Sequence, residues 1–208
     1  MNSRKLRLWE SALMLAFALT LLAGTCASVS RAALADRVLR LHVIANSDSG
    51  PDQALKLKVR DAVLEEATPL LAGADSQRSA EEALASHLEE LARAGQAVLA
   101  AEGCGDEVTV SLTDAWFPTK VYDGFSLPAG TYRALRVVIG EGAGQNWWCV
   151  VFPPLCLASV TEEVAAAAAE AGLSDDQVAL ITGQDGGYVL KFKFMEWWEE
   201  LLQKLGVT

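Results

Sequence analysis

Val38-Leu39-Arg40-Leu41-His42-Val43-Ile44-Ala45-Asn46-Ser47-Asp48-Ser49-Gly50-Pro51, residues 38–51, is a strand that stops at a turn and hands over to a helix. Leu39, Leu41, Val43 and Ala45 share one face by strict alternation, with His42 on the other. Asn46 to Pro51 then breaks the extended run. Ser49 and Asp52 stand at capping-box spacing, and Pro51 suits a first helical turn, where a missing N–H costs nothing. The helix that follows carries Leu55, Val59, Ala62 and Val63 on one face, with Lys56, Arg60 and Glu65 elsewhere, and should end near Pro69 or Gly73.

Working outward, the spacing predicts a second helix over Ser79–Ala101, with Leu84, Leu88, Leu91 and Val98 as its stripe. Glu107–Leu112 alternates as a strand. Val121-Tyr122 is short and extended, and Asp123-Gly124 supplies a turn. Tyr132–Ile139 and Trp147–Phe152 are two more strands, and the glycine-rich run Gly140–Asn146 between them reads as a hairpin turn. The alanine-rich run Val164–Ala171 is helical and stops at Gly172. Tyr188–Phe194 alternates again, and a tail helix begins near Met195. The expected fold is α+β: a single domain over 36–208, with an antiparallel meander and flanking helices.

Residues 1–35 differ in kind. Arg4, Lys5 and Arg7 precede the apolar run Leu13–Leu22, and no charge stands between Glu10 and Arg31. A basic start followed by an apolar stretch is the pattern of a signal peptide, or of a membrane anchor if uncleaved. Thr25-Cys26-Ala27 and Ala33-Leu34-Ala35 offer small residues for cleavage. The basic end should stay in the cytoplasm and the rest should face outward.

The 208 residues suffice for one core, and a 51% apolar fraction excludes a disordered chain. A formal charge of −10 argues against nucleic acid as a partner. Export would permit disulfides. Of Cys104, Cys149 and Cys156, at most one pair can close within the chain, and Cys149 with Cys156 is the candidate. The alternative is that one or both are small buried hydrophobes. The stretch Gln145–Cys156, QNWWCVVFPPLC, reads as a core strand that Pro153-Pro154 must end, because proline cannot donate to a ladder. Trp148, Val150 and Phe152 would share one face, and Trp147, Cys149 and Val151 the other.

Catalytic readings are weak. Gly140, Gly142 and Gly144 lead into a strand, not into a helix that could meet a phosphate, and no Gly-Lys-Ser/Thr follows. His42 and His87 are the sole histidines. A Cys-His hydrolase would need Cys149 or Cys156 beside His42. Asn46, Asp48 and Asp52 allow a small cation site, but helix capping accounts for the same residues. Zinc lacks closely spaced ligands. No cofactor, metal or catalytic residue is expected.

Longer runs carry more. LRLHVIANSDSGPDQALKLKVRDAVL, residues 39–64, resembles the stage II sporulation protein R family. So do FPTKVYDGFSLPAGTYRALRVVIGEGAGQNWWCVVFPPLC, residues 117–156, and the tail VLKFKFMEWWEEL. The resemblance implies a signalling protein of endospore-forming bacteria, exported from the forespore into the space between forespore and mother cell. Its implied partner is a membrane-embedded aspartic protease that processes the mother-cell sigma factor precursor. It implies an activating ligand, not an enzyme. Partner contacts are expected on polar loops of a rigid scaffold, at Asn46, Asp48, Gly142 and Asn146, with Trp147 as an aromatic anchor.

Overall fold

The computed structural model describes residues 13–15, 33–122, 125–156 and 161–182. The chain divides into two compact units, Met1–Leu34 and Ala35–Thr208. In the first, Leu13–Leu15 are helical and exposed. No helix among the described residues is long and apolar enough to cross a membrane. The rest of the expected leader, the Asp123-Gly124 turn, the strand at 188–194 and the tail helix with Trp197 and Trp198 lie outside the described residues.

The second unit is a mixed sheet with helices. Its elements are β1 (Leu39–Ile44), α1 (Gly50–Leu71), α2 (Gln77–Ala85), α3 (Leu88–Ala101), β2 (Val108–Phe117), β3 (Lys120–Tyr122), β4 (Phe125–Leu127), β5 (Gly130–Ile139), β6 (Asn146–Phe152), α4 (Thr161–Glu170) and α5 (Asp175–Thr182). The main sheet has the order β2-β5-β1-β6, and β3-β4 is a separate two-stranded ribbon.

The α+β class holds, but the meander does not. β1 pairs with β5 in parallel, Leu41 opposite Leu135, and with β6 antiparallel, Leu41 opposite Cys149. The first strand is therefore inserted between the two that were expected to form a hairpin. Its sequence explains why. Leu39, Leu41, Val43 and Ile44 are all at most 5% exposed, along nearly the whole strand. A strand apolar enough to be buried belongs at the centre of its sheet.

Helices α1 to α3 pack on the face that carries Leu41. Gly95 of α3 makes this close, because a Cβ there would meet Val108 at 3.0 Å and Val59 of α1 at 3.2 Å. α1 starts as its sequence dictates: the Ser49 side chain caps the Asp52 N–H, and Pro51 stands in the first turn. Its buried stripe differs from expectation. Lys56 joins Val59, Val63 and Ala67, while Leu55 is half-buried. The lysine's apolar stem lies on the stripe while its ammonium finds acceptors elsewhere. The single helix expected over 79–101 is two. Ser86 Oγ donates to the Glu82 carbonyl and His87 Nδ1 lies 2.8 Å from that of Ala83, so side chains occupy the carbonyls of the last turn of α2.

β6 ends at Phe152 as expected. It is covered on both faces only in its second half: Cys149, Val150, Val151 and Phe152 are buried, Trp148 is half-buried and Trp147 is exposed. A register irregularity at Leu39/Arg40 sets Phe152 opposite Leu39 and Val150 opposite Arg40, so Phe152 is one residue out of step with the alternation. Cys149 and Cys156 are joined as a disulfide with Cα atoms 5.5 Å apart, and Cys104 is free.

The core strand sets a stability prediction. Leu41→Ala removes a fully buried side chain from the central strand and should cost about 2–5 kcal/mol. Leu57→Ala, on the outer face of α1 at 36% exposure, should stay within about 1 kcal/mol. Urea unfolding followed by far-UV circular dichroism measures both.

Candidate functional site

Since β1 separates β5 from β6, residues 140–145 must step across the end of β1. They do so by interlocking with the turn after β1. Ala143 N–H donates to the Asn46 carbonyl at 3.1 Å and Gly144 N–H to that of Ala45 at 2.9 Å. Asn46 Oδ1 accepts from Glu141 N–H at 3.0 Å, and Asp48 Oδ1 accepts from Gln145 N–H at 2.7 Å. Lys56, 5% exposed, donates to the Gln145 carbonyl at 2.9 Å and to Gln53 Oε1 at 2.6 Å. Burial pulls its ammonium below the ordinary lysine range, partly offset by Asp48. Gln53 Nε2 closes the ring on the Ser47 carbonyl at 2.8 Å.

The glycines of this crossing are required at three points, and at Gly142, with φ +63°, a Cβ would come within 2.7 Å of the Val138 side chain. Gly140 has φ +56°, a left-handed conformation, and a Cβ there would strike the Asn46 side chain. Gly144 lies so close to the Ser47 carbonyl oxygen that any Cβ would overlap it. The glycine run therefore serves backbone approach, and the hairpin reading is replaced by a latch between two loops.

Asn46, Asp48 and Gly142 are thus brought together, but as parts of the latch. Asn46 Oδ1 and Asp48 Oδ1 accept from the backbone of the upper loop, and the Gly142 N–H donates to the Ile139 carbonyl at 3.1 Å. Asp52 Oδ2 likewise accepts from Ser47 Oγ and from Asn46 Nδ2. No metal-holding group of three or more acidic, histidine or cysteine side chains exists among the described residues. Asn146 and Trp147 diverge. Trp147 lies opposite Val43, with the Arg60 guanidinium 4.4 Å over its ring. Asn146 points to the other face, its Oδ1 2.8 Å from His42 Nε2. Cys149 sits opposite Leu41, on the face of the sheet away from His42, and is bridged. The thiol and imidazole of the hydrolase reading are therefore not brought together.

That other face holds what the sequence reading missed. Arg40 is fully buried. Its guanidinium lies 4.2 Å over Phe117 and 5.1 Å from the Tyr132 ring centre. Nη2 donates to Tyr122 Oη and Nε to the Cys149 carbonyl at 3.3 Å. Tyr122 Oη in turn donates to the Trp148 carbonyl at 3.2 Å. Burial lowers the Arg40 pKa and raises that of Tyr122. No carboxylate pairs with Arg40 among the described residues. The visible signal was an arginine flanked on both sides by leucine inside an apolar strand. His42 stacks on Trp148 with ring centres 6.0 Å apart and meets Phe117 edge-on at 5.7 Å.

Two predictions follow from this geometry. Gly144→Ala should destabilise by about 1–3 kcal/mol, because the neighbour it strikes is backbone. Gly105→Ala, with open space around it, should change stability by less than about 0.5 kcal/mol. Denaturation curves separate them, and faster amide exchange at Gln145 would locate the damage. His42 is held below its ordinary value of 6.5, first by burial and then by the nearby Arg136 and Arg40 charges, against the Asn146 hydrogen bond. As pH falls past 6.5 the unfolded chain takes up the proton first. Stability is therefore lost from there down to the lower folded-state value. His42→Gln should flatten thermal stability between pH 7 and 5 relative to the parent.

The latch and sheet fall inside the part of the chain that resembles known proteins. The family model described as Stage II sporulation protein R matches residues 35–162. Stage II sporulation protein R of Bacillus subtilis (strain 168) is 40% identical over 121 residues, 58% of this chain and 54% of the relative. The chain thus spans about half the length of that curated relative. No solved structure matches. With more than half of its length matched by the family model, from the start of the second unit through β6, the chain belongs to the stage II sporulation protein R family.

Proposed function

We propose that this protein is an exported sporulation signal that activates a membrane-embedded aspartic protease, which then processes the mother-cell sigma factor precursor. The observation that carries the reading is family membership over residues 35–162. Two features support it. The first unit has the basic-then-apolar order of an export segment, with Leu13, Met14 and Leu15 exposed. The Cys149–Cys156 disulfide suits a compartment outside the cytoplasm.

In this reading the protein acts from the space between forespore and mother cell, secreted or held by its N-terminal segment. Activation is a difference in affinity for two states of the protease, because a ligand shifts an equilibrium only by binding one state better. The latch supports the role by holding two polar loops rigid, which limits the ordering cost of recognition. Asn46, Asp48, Gly142, Asn146 and Trp147 at the latch end of the sheet are the proposed contacts. Trp147, 38% exposed beside Arg60, fits an anchoring aromatic.

The test is genetic. A deletion strain should accumulate unprocessed sigma factor precursor, and restoring the gene should restore processing. Normal processing in the deletion strain would remove the proposal. Trp147→Ala should reduce processing while the purified protein melts within a few degrees of the parent.

A further inference from the structure

Arg40, His42, Arg136 and Trp148 share the sheet face opposite α1–α3, and Lys120 of the ribbon β3-β4 reaches over it. Lys120 Nζ stands 4.2 Å over the Trp148 ring. Arg136 lies in register beside His42 on β5 and is exposed. Nearby Ser111, Val138 and Trp148 are only half-buried, so this part of the face is open. The chain has a formal charge of −10, yet Arg40, Lys120 and Arg136 have no ion-pair partner among the described residues.

Two donors here also lack acceptors. Arg40 Nη1 and Trp148 Nε1 are buried and make no hydrogen bond. Neither group can accept a hydrogen bond, so each needs an oxygen from elsewhere. His42 Nδ1 is buried and unpartnered as well. Leaving such groups unmet is costly, and an uncompensated buried cation projects a positive field onto the surface above it. The missing chemistry is an anionic acceptor. The half-buried aromatic rings of Tyr122 and Trp148 suit a peptide with apolar and acidic side chains better than a small inorganic ion.

We propose that this open face, between the half-buried Lys120 and the exposed Arg136, is a docking site for an acidic peptide segment of a partner protein, whose carboxylates pair with these two cations in the field of the uncompensated Arg40 beneath them. The proposal rests on the reading of the chain as a protein-binding signal. It is tested in vitro, so its failure leaves the deletion experiment standing.

The full-length protein is titrated with a fluorescein-labelled peptide of alternating glutamate and leucine, and polarisation is read at low salt. The parent should bind despite the repulsion expected from net charge, and a lysine-leucine peptide should not. Lys120→Glu with Arg136→Glu should weaken binding about tenfold or more, because two attractive charges become repulsive. Arg93→Glu, a surface cation on α3 already beside Glu90, should leave binding within about twofold. Thermal melting of the double variant near the parent value would show that the loss is not unfolding. Equal binding by parent and double variant, or binding of the lysine peptide, would overturn the site. Failure of the parent to bind would overturn it too. If binding then appeared in Glu196→Gln/Glu199→Gln/Glu200→Gln, the face would belong to the chain's own C-terminal glutamates instead.

Discussion

The crossing of residues 140–145 over the end of β1 is the constraint on which this fold depends. Neighbouring strands lie about 4.8 Å apart, so a connection that skips one strand must reach about 10 Å across a surface already carrying a turn. The backbone groups at that crossing lie between two loops, and each needs a partner. The protein meets this with reciprocal bonds. Asn46 and Asp48 accept from the upper loop, the upper loop donates to Ala45 and Asn46, and Lys56 rises from α1 to hold Gln145. Glycine at 140 and 144 removes the side chains that would force the loops apart. Helix α1 is drawn into the same arrangement, since Gln53 of its first turn holds the Ser47 carbonyl of the turn after β1 and its buried Lys56 reaches the Gln145 carbonyl of the crossing.

The two faces of the sheet obey different chemistry as a result. The helix face is a hydrocarbon core built from Leu41, Val43, Leu135 and Val137 against Val59 and Val63. The opposite face is organised by a cation. Arg40 is accommodated by aromatic rings rather than by a carboxylate, an arrangement that attracts through the ring quadrupole and leaves net positive charge in place. A buried ion pair would have cancelled that charge. The tyrosine that touches Arg40 also ties β3 to β6 through the Trp148 carbonyl, so the ribbon is fastened to the sheet by the same group that carries the charge.

Much of the element content was legible because it is local. The Ser49 cap, Pro51, the alternation through Val43 and the stop at Pro153 each depend on a few adjacent residues. The break at Ser86-His87 was missed because apolar spacing alone carries through it, while the side-chain bonds to Glu82 and Ala83 do not show in a periodicity. Strand order was not legible, since the pairing of Leu41 with both Leu135 and Cys149 is a property of distant segments. The candidate loops were singled out for their polar, glycine-rich composition, but their interlocking was not legible, because it rests on the steric limits at Gly140 and Gly144 and on the acceptors Asn46 and Asp48, which meet only in the fold. Arg40 escaped because an arginine in a strand reads as solvent-facing until the strand is known to be central.

The central strand is also the first to leave the ribosome, and this sets the order of folding. Arg40 and the Cys149 carbonyl it binds are 109 residues apart, and the latch partners Asn46 and Glu141 are 95 apart. Closing a loop of about 100 residues costs roughly 4 kcal/mol of chain entropy before any pairing is gained, which makes assembly late and slow. Until β5 and β6 arrive, β1 has two open edges, and no part of the sheet can close around it. Under the export proposed above, such late closure is an advantage. The sheet cannot lock around β1 while β5 and β6 are still being synthesised.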